Sequence, residues 1–168
     1  MIWWAVLLAT MAPGTPRGDT VAIPPAFNNP VPPGKVTTAN PRSIAAALQD
    51  RGYKASLGME DGKPYIESAA DGARFFVYLQ NCKENRDCQD VIFQSSYEKK
   101  EDKPVKLEAI NDFNLNNRWA RAYLAKDGGA VIEMDVLFTE QKIDEKMFGE
   151  AVDIWADVLS TFHKAIDF

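Results

Sequence analysis

The sequence has little of the residue types on which catalysis and nucleic-acid binding commonly depend. Its 168 residues include one histidine and two cysteines. The 24 acidic residues outnumber the 19 basic ones, for a formal net charge of −5. Proteins that bind nucleic-acid phosphates or anionic membranes carry clustered Lys and Arg. No such cluster occurs here, so we expect no nucleic-acid partner and no anionic membrane surface.

Catalytic motifs are also absent from the sequence. Nucleophilic catalysis generally needs a base near the nucleophile, and we expect the single histidine, His163, to be a partly exposed helix residue. There is no phosphate-binding glycine loop, no His-Glu-x-x-His and no Gly-x-Ser-x-Gly. Glu133 and Asp135 share one face of a predicted strand, but solvent-facing residues, one of them paired with Arg121, explain them more simply. We therefore predict a non-enzymatic protein with no cofactor and no metal.

Charge is scarce at the N-terminus as well. Only three of the 43 charged residues lie in residues 1–40, whereas eight of the ten prolines lie in residues 1–41. The uncharged run of residues 2–12 is too short for a bilayer span, which needs about 20 apolar residues. Its length suits a signal peptide. We predict a signal peptide over residues 1–22 and a periplasmic or secreted protein with no stable membrane span; an untranslocated apolar start is the alternative.

Residues 23–40 follow as a proline-rich linker. Five prolines fall in this stretch, and such sequences are typically extended and semi-rigid. We expect little packing from it. Nearly all the charge lies beyond residue 40, so we place a single folded domain at residues 41–168, a length sufficient for its own core.

Cys82 and Cys88 enclose a polar loop without a histidine. Structural zinc sites normally have four ligands, and redox-active pairs usually have the shorter Cys-x-x-Cys spacing. Both interpretations are therefore weak. In an exported protein a structural disulfide is the leading interpretation, and closing so short a loop stabilises a fold by about 2–3 kcal/mol in the chain-entropy model.

Hydrophobic periodicity and turn residues predict six strands and three helices. Two Asp-Gly pairs between β-prone runs indicate a three-strand meander. A short first helix, a middle helix and a long C-terminal helix give the order α-ββββ-α-ββ-α. The predicted elements are a helix at 43–51, strands at 53–59, 65–69, 73–80 and 91–98, a helix at 105–117, strands at 118–126 and 130–138, and a helix at 144–166.

The last hairpin permits a prediction of register. A three-residue loop would pair Lys126 with Ala130 and therefore Arg121 with Asp135. This arrangement separates apolar from charged cross-strand pairs and places opposite charges face to face.

The terminal helix carries an apolar stripe with spacings of three and four. Packing against the sheet is the simplest role for the stripe, and a partner-binding groove or dimer face is the alternative. Residues 144–168 hold six acidic residues and two lysines, so a partner bound there should be basic. The stripe comprises Phe148, Ala151, Val152, Trp155, Leu159, Phe162 and Ile166.

Several sequence motifs follow one another across about residues 41–166. They are Arg51-Gly52-Tyr53 after the first helix, Asp71-Gly72-Ala73-Arg74-Phe75-Phe76-Val77, the loop from Cys82 to Cys88, Ile110-Asn111-Asp112-Phe113-Asn114, Arg118-Trp119-Ala120-Arg121-Ala122-Tyr123, and a final helix with Trp155. Taken in this order, the motifs resemble those of the YbjN family. Two features depart from the family pattern: the turn after Phe138 lacks a glycine pair, and the fourth strand is polar at Gln94-Ser95-Ser96.

This resemblance implies an α+β fold similar to that of type III secretion chaperones, in which a long helix packs on one antiparallel sheet, here of about six strands. Family members are described as sensory-transduction regulators, and the family offers no catalytic residues to carry over. The resemblance thus implies a binding or chaperone-like module that engages a protein or peptide in the bacterial envelope, with a homodimer as in the chaperone relatives.

A small-ligand sensor is the alternative function. Its pocket would lie between the sheet and the middle helix, near Asn111, Asn114 and Trp119. The candidate residues for a partner or ligand surface are Asn111, Asn114, Trp119, Arg121 and Trp155.

Overall fold

The computed structural model describes residues 22–83 and 87–168 of the chain. The predicted signal peptide, apart from Ala22, therefore lies outside the described residues. The described chain has three α-helices and an antiparallel six-stranded sheet, which confirms the predicted α+β class.

The elements follow one another in the predicted order, with two short strands added. The six-stranded sheet has the order β2-β3-β4-β5-β7-β6, and β1 pairs with β8 in a separate two-stranded sheet. The helices are α1 Arg42–Asp50, α2 Leu107–Asn116 and α3 Glu145–Ile166. The strands are β1 Lys35–Thr37, β2 Ala55–Glu60, β3 Lys63–Ala70, β4 Ala73–Gln80, β5 Asp90–Tyr97, β6 Arg121–Leu124, β7 Ala130–Leu137 and β8 Lys142–Asp144.

Two tight turns set the register of the meander β2-β3-β4. Asp61 and Gly62 have φ angles of 48° and 75°, and Asp71 and Gly72 have φ angles of 50° and 80°. Positive φ at both central residues is the hairpin turn whose twist matches that of the flanking strands. The predicted meander is therefore confirmed.

The apolar stripe of α3 packs on one face of the sheet. Trp155 is 1% exposed, and its ring centroid lies 5.7 Å from those of both Phe75 in β4 and Phe93 in β5. Phe113 brings α2 into the same core, with its ring 5.0 Å from Phe162 of α3. The buried apolar side chains of α1 join this core as well. All three helices thus cover the same face.

The prediction that residues 23–40 would pack little is wrong. Phe27 and Val36 are buried in the main core, and Val36 pairs with Ile143 in the two-stranded sheet. One aromatic and one β-branched side chain give this stretch enough apolar surface to dock, despite its prolines. The folded unit therefore begins within the predicted linker.

The predicted register of the last hairpin is also wrong, by two residues. Arg121 pairs with Glu133 and Leu124 pairs with Ala130. The loop is longer than three residues because the turn closes on Ala125, whose N–H donates to the carbonyl of Gly129 at 2.8 Å. Since a strand alternates with period two, a shift of two leaves every side chain on its predicted face.

Replacement of Trp155 by alanine should be severely destabilising. Emptying a fully buried tryptophan site costs about 3–5 kcal/mol of unfolding free energy. Trp119→Ala is the matched control, because Trp119 is 58% exposed and should change stability by less than about 1 kcal/mol. Urea unfolding of both variants measures the difference, and equal losses would contradict the described packing.

Candidate functional site

The sheet face opposite the helices is a surface that no described helix covers, because the buried side chains of α1, α2 and α3 all belong to the core on the other side. Side chains alternate along a strand, and the strand pairing aligns the outward ones into two rows across the sheet. We call these rows together the open face. The polar row is Ser56, Glu67, Phe76, Gln94, Glu133 and Arg121, and the aromatic row is Gly58, Tyr65, Tyr78, Ile92 and Asp135.

Three aromatic rings cluster on the open face. The ring of Tyr65 lies 5.9 Å from that of Phe76 and 6.0 Å from that of Tyr78, and Phe76 and Tyr78 stack at 5.7 Å. Gly58 makes this arrangement possible, since a Cβ there would stand 2.2 Å from Cζ of Tyr65. An aromatic ring lying across a strand glycine covers backbone that the glycine leaves bare. The cluster is only partly buried and presents aromatic surface to solvent.

Glu133 is a buried carboxylate at the centre of β7, only 5% exposed. Arg121 stands opposite it in β6 and donates to Oε2 from Nε at 2.9 Å and from Nη2 at 2.6 Å. Gln94 stands opposite it in β5 and donates to Oε1 at 2.6 Å. The hydroxyl of Tyr123 donates to the same oxygen at 2.8 Å. Both carboxylate oxygens therefore have partners, as a buried charge requires.

These contacts fix the charges of the cluster. Burial alone would raise the pKa of Glu133, but the hydrogen bonds from Arg121, Gln94 and Tyr123 outweigh it and hold that pKa below its ordinary value. The Glu133 hydrogen bond and charge raise the pKa of Arg121. Burial, followed by the bond to Glu133, raises the pKa of Tyr123. The cluster is thus an ion pair with a neutral phenol near pH 7, which suits recognition rather than proton transfer.

His163 is buried, so the expectation of a partly exposed helix residue is wrong. Its Nδ1 lies 2.8 Å from a carboxylate oxygen of Asp71, and its Nε2 lies 2.5 Å from the Tyr97 hydroxyl. Burial raises the pKa of Tyr97 to about 12, so the hydroxyl keeps its proton near pH 7. Nδ1 donates to Asp71, because a carboxylate oxygen can only accept. Phe168 stacks on the imidazole at 4.5 Å. This network ties α3 to the sheet on the helical side.

Where the sequence predicts a ligand pocket near α2, the structure has a contact between the Asn114 side chain and the backbone of β6. The Asn114 side chain donates from Nδ2 to the carbonyl of Ala122 and accepts its N–H at Oδ1, both at 2.9 Å. Its amide group is therefore engaged with the backbone of β6. Asn111 is exposed on the same helix. We find no convergence of these two asparagines on a common cavity.

The other predicted surface residues separate into two groups. Arg121 is part of the open face, and Trp119 is exposed immediately before β6. Trp155 lies in the core, so its assignment to a surface is wrong: the apolar face of α3 needs a large side chain to fill the space above Phe75 and Phe93.

The sequence prediction missed Tyr65, Phe76, Tyr78 and Glu133 as site residues. A signal for two of them was present, because Phe76 and Tyr78 alternate with the core residues of β4. An apolar second face indicates a strand at the centre of a sheet, and it equally indicates a strand whose second face binds a partner or ligand.

Half of the acidic residues in the terminal helix region form ion pairs within the chain. Three of its six acidic residues pair with basic residues from earlier segments, which weakens the expectation of a basic partner there. The ion pairs are Asp144 with Lys35, Asp153 with Arg51, and Asp167 with Lys103.

Residues 22–83 and 87–168 contain neither a cluster of metal ligands nor a membrane-spanning helix. No three His, Cys, Asp or Glu side chains in these ranges converge where they could hold a metal ion. No helix in the same ranges is long and apolar enough to span a bilayer.

Comparison with known proteins identifies one family and a fold relative. The YbjN family model, described as "Putative bacterial sensory transduction regulator", matches residues 40–168. The crystal structure of YbjN from E. coli, "a putative transcription regulator", superposes with a TM-score of 0.51 at 14% sequence identity, covering 75% of this chain and 88% of that one. At that identity the likeness shows the fold alone. No curated protein matches the chain.

Glu133 should make stability depend on pH in the acidic range. Its lowered pKa means that the folded state binds the proton less tightly than the unfolded state, whose carboxyl keeps the ordinary value of 4.5. The stabilisation is therefore complete above about pH 4.5 and disappears as pH falls through the lowered folded-state pKa. Glu133→Gln should cost about 1–3 kcal/mol at pH 7, and the difference from the unsubstituted chain should shrink in acid.

Asp135→Asn is the matched control for this measurement. Asp135 lies on the same face of β7 and is exposed, so its neutralisation should change the unfolding free energy little at either pH. Urea unfolding at several pH values tests both variants. A Glu133→Gln chain as stable as the unsubstituted one at pH 7 would contradict the described cluster.

Proposed function

The chain belongs to the YbjN family, and from that premise we propose that it is an exported, non-enzymatic binding module that holds a protein partner on its open face. The family description supports a regulator-type role. The observation that carries the proposal is the cluster of Tyr65, Phe76 and Tyr78 on a sheet face that no described helix covers. Exposed aromatic patches rimmed by polar residues are typical of protein-binding sites.

The residues of the open face suggest the chemistry of the partner. Its aromatic centre favours apolar side chains. Most of its charges are already paired, as in the contact of Arg121 with Glu133. Asp135 is exposed beside Ile92 and forms no ion pair with any residue in the described ranges. A partner segment with apolar side chains and one basic residue facing Asp135 would complement this surface.

Export and a structural disulfide form part of the same proposal. The Sγ atoms of Cys82 and Cys88 lie 2.09 Å apart, in the loop between β4 and β5. A disulfide here would persist in the periplasm or outside the cell, where thiols are oxidised. The uncharged run of residues 2–12 supports export as a signal peptide. The disulfide would hold together two strands that supply residues to both rows of the open face.

A small-ligand sensor is the second candidate function, and a surface cavity favours it. The cavity has a volume of about 460 Å³ and lies between residues 31–36, α1 and the first residue of α3. Lys35, Asp50 and Glu145 give it charged walls. It lies among these elements and not near Asn114, where the sequence suggested a pocket. A ligand bound there would be insensitive to substitutions on the open face.

Substitutions on the open face should abolish capture of the partner. Tyr78→Ala removes part of the aromatic cluster, and loss of a central interface tyrosine commonly weakens binding by about thirtyfold or more. Asp135→Asn should weaken it less, and only at low salt. Quantitative affinity capture after crosslinking in the native envelope measures both effects.

Asp157→Asn serves as the control, because Asp157 is an exposed acid on the solvent side of α3. This variant should recover as much partner as the unsubstituted chain. Capture that repeatedly yields no stoichiometric partner would contradict the proposal, as would a partner retained by Tyr78→Ala and lost by Asp157→Asn.

Mass spectrometry of the protein from the producing cells tests export and the disulfide together. We expect an N-terminus near Ile23 and, under non-reducing conditions, no free thiol at Cys82 or Cys88. Retention of residues 1–22 together with two free thiols would contradict export. The reduced chain should unfold at lower denaturant concentration, since the crosslink is expected to contribute about 2–3 kcal/mol.

A further inference from the structure

The two edges of the six-stranded sheet differ in whether their outward-facing backbone N–H and carbonyl groups form hydrogen bonds. At the β6 edge, the Asn114 side chain bonds both the N–H and the carbonyl of Ala122. The amide thereby takes the place that a neighbouring strand would occupy. No side chain among residues 22–83 and 87–168 bonds both backbone groups of a β2 residue in this way.

The turn between β2 and β3 determines which backbone groups of β2 face the edge. In a two-residue hairpin, the residues flanking the turn form a hydrogen-bonded pair, here Glu60 with Lys63. Alternation then directs the backbone groups of Ala55, Leu57 and Met59 away from β3. Within the described part of the chain, no hydrogen bond reaches these groups of Leu57 or Met59.

Ala55 is the edge-facing position of β2 whose backbone bonds to another described residue. Its carbonyl accepts a hydrogen bond from Nε2 of Gln49 at 2.8 Å. The Gln49 side chain is exposed, and a carbonyl oxygen can accept two hydrogen bonds. This contact therefore leaves the edge accessible to a further strand.

Side chains along the β2 edge differ on its two faces. On the helical side, Leu57 and Met59 are apolar and partly exposed. On the open face, Lys54 precedes the strand and Glu60 ends it, and both are exposed. Neither forms an ion pair with another residue in ranges 22–83 and 87–168.

We propose that β2 pairs antiparallel with β2 of a second copy of this chain, about a two-fold axis at Leu57. Leu57 would meet Leu57 of the partner subunit, and Ala55 would meet the partner's Met59, with about six backbone hydrogen bonds between the strands. The same register sets Lys54 opposite the partner's Glu60, and the symmetry repeats this pair of opposite charges.

Charge complementarity favours this register, and it favours a second copy of the chain as the strand that pairs with β2. A shift of the axis toward Gly58 would place Lys54 opposite the turn glycine Gly62, and a shift toward Ser56 would place it opposite Gly58. Only the arrangement centred on Leu57 joins opposite charges on one face and apolar side chains on the other. The pairing would extend the open face across both subunits, and it stands independently of the proposed partner protein.

Charge exchange at the β2 edge tests the proposal. Lys54→Glu and Glu60→Lys each place like charges in both symmetric contacts, so each should raise the dimer dissociation constant about tenfold or more. The double variant carrying both substitutions restores opposite charges and should return the constant to within about threefold of the original. Sedimentation velocity of the purified chain over a concentration series measures the constant.

Lys126→Glu is the matched control, because Lys126 is an exposed lysine beside the opposite edge of the sheet. This substitution should leave the dissociation constant unchanged. Amide hydrogen exchange gives a second measurement: the N–H groups of Leu57 and Met59 should exchange more slowly as the protein concentration rises. A chain that stays monomeric at every concentration would overturn the proposal, as would self-association that neither charge exchange alters. Protection of these amides only on addition of a different protein would overturn it too.

Discussion

The packing of α3 on the sheet is the contact on which the rest of the structure depends. Trp155 fills the space above Phe75 and Phe93, and the remaining stripe residues extend this contact along the sheet. Because α1 and α2 add their apolar surfaces to the same core, the three described helices all lie on one face of the sheet. A sheet with its helices on one side must make its second face compatible with water or with a partner.

The composition of that second face supports the proposal that it holds a partner. A face adapted only to water would carry mainly charged and small polar side chains, whereas this one has a central aromatic cluster over Gly58. The buried ion pair of Glu133 with Arg121 is held by side chains from neighbouring strands. Such a network holds its side chains in fixed positions without help from a helix, which is the rigidity that recognition requires.

Local signals in the sequence were sufficient for the element order and the meander. The Asp-Gly turns are predictable from two adjacent residues that tolerate positive φ angles. The stripe of α3 is predictable from the spacing of its apolar residues alone. Contacts between distant segments could not be predicted in this way. The burial of Phe27, the Asp71 and Tyr97 partners of His163 and the two-residue shift at Arg121 all depend on which segments meet in three dimensions. For the same reason, the prediction identified Arg121 but assigned Trp155 to the surface.

The central claim is that the open face, and not the solvent side of α3, is where the partner binds. A photoreactive residue placed at Ile92, next to Tyr78 in the aromatic row, tests this claim most directly, with the same residue at Thr161 on the solvent side of α3 for comparison. Irradiation of intact producing cells should crosslink one protein to position 92 and none to position 161. Crosslinking from position 161 alone would contradict the account.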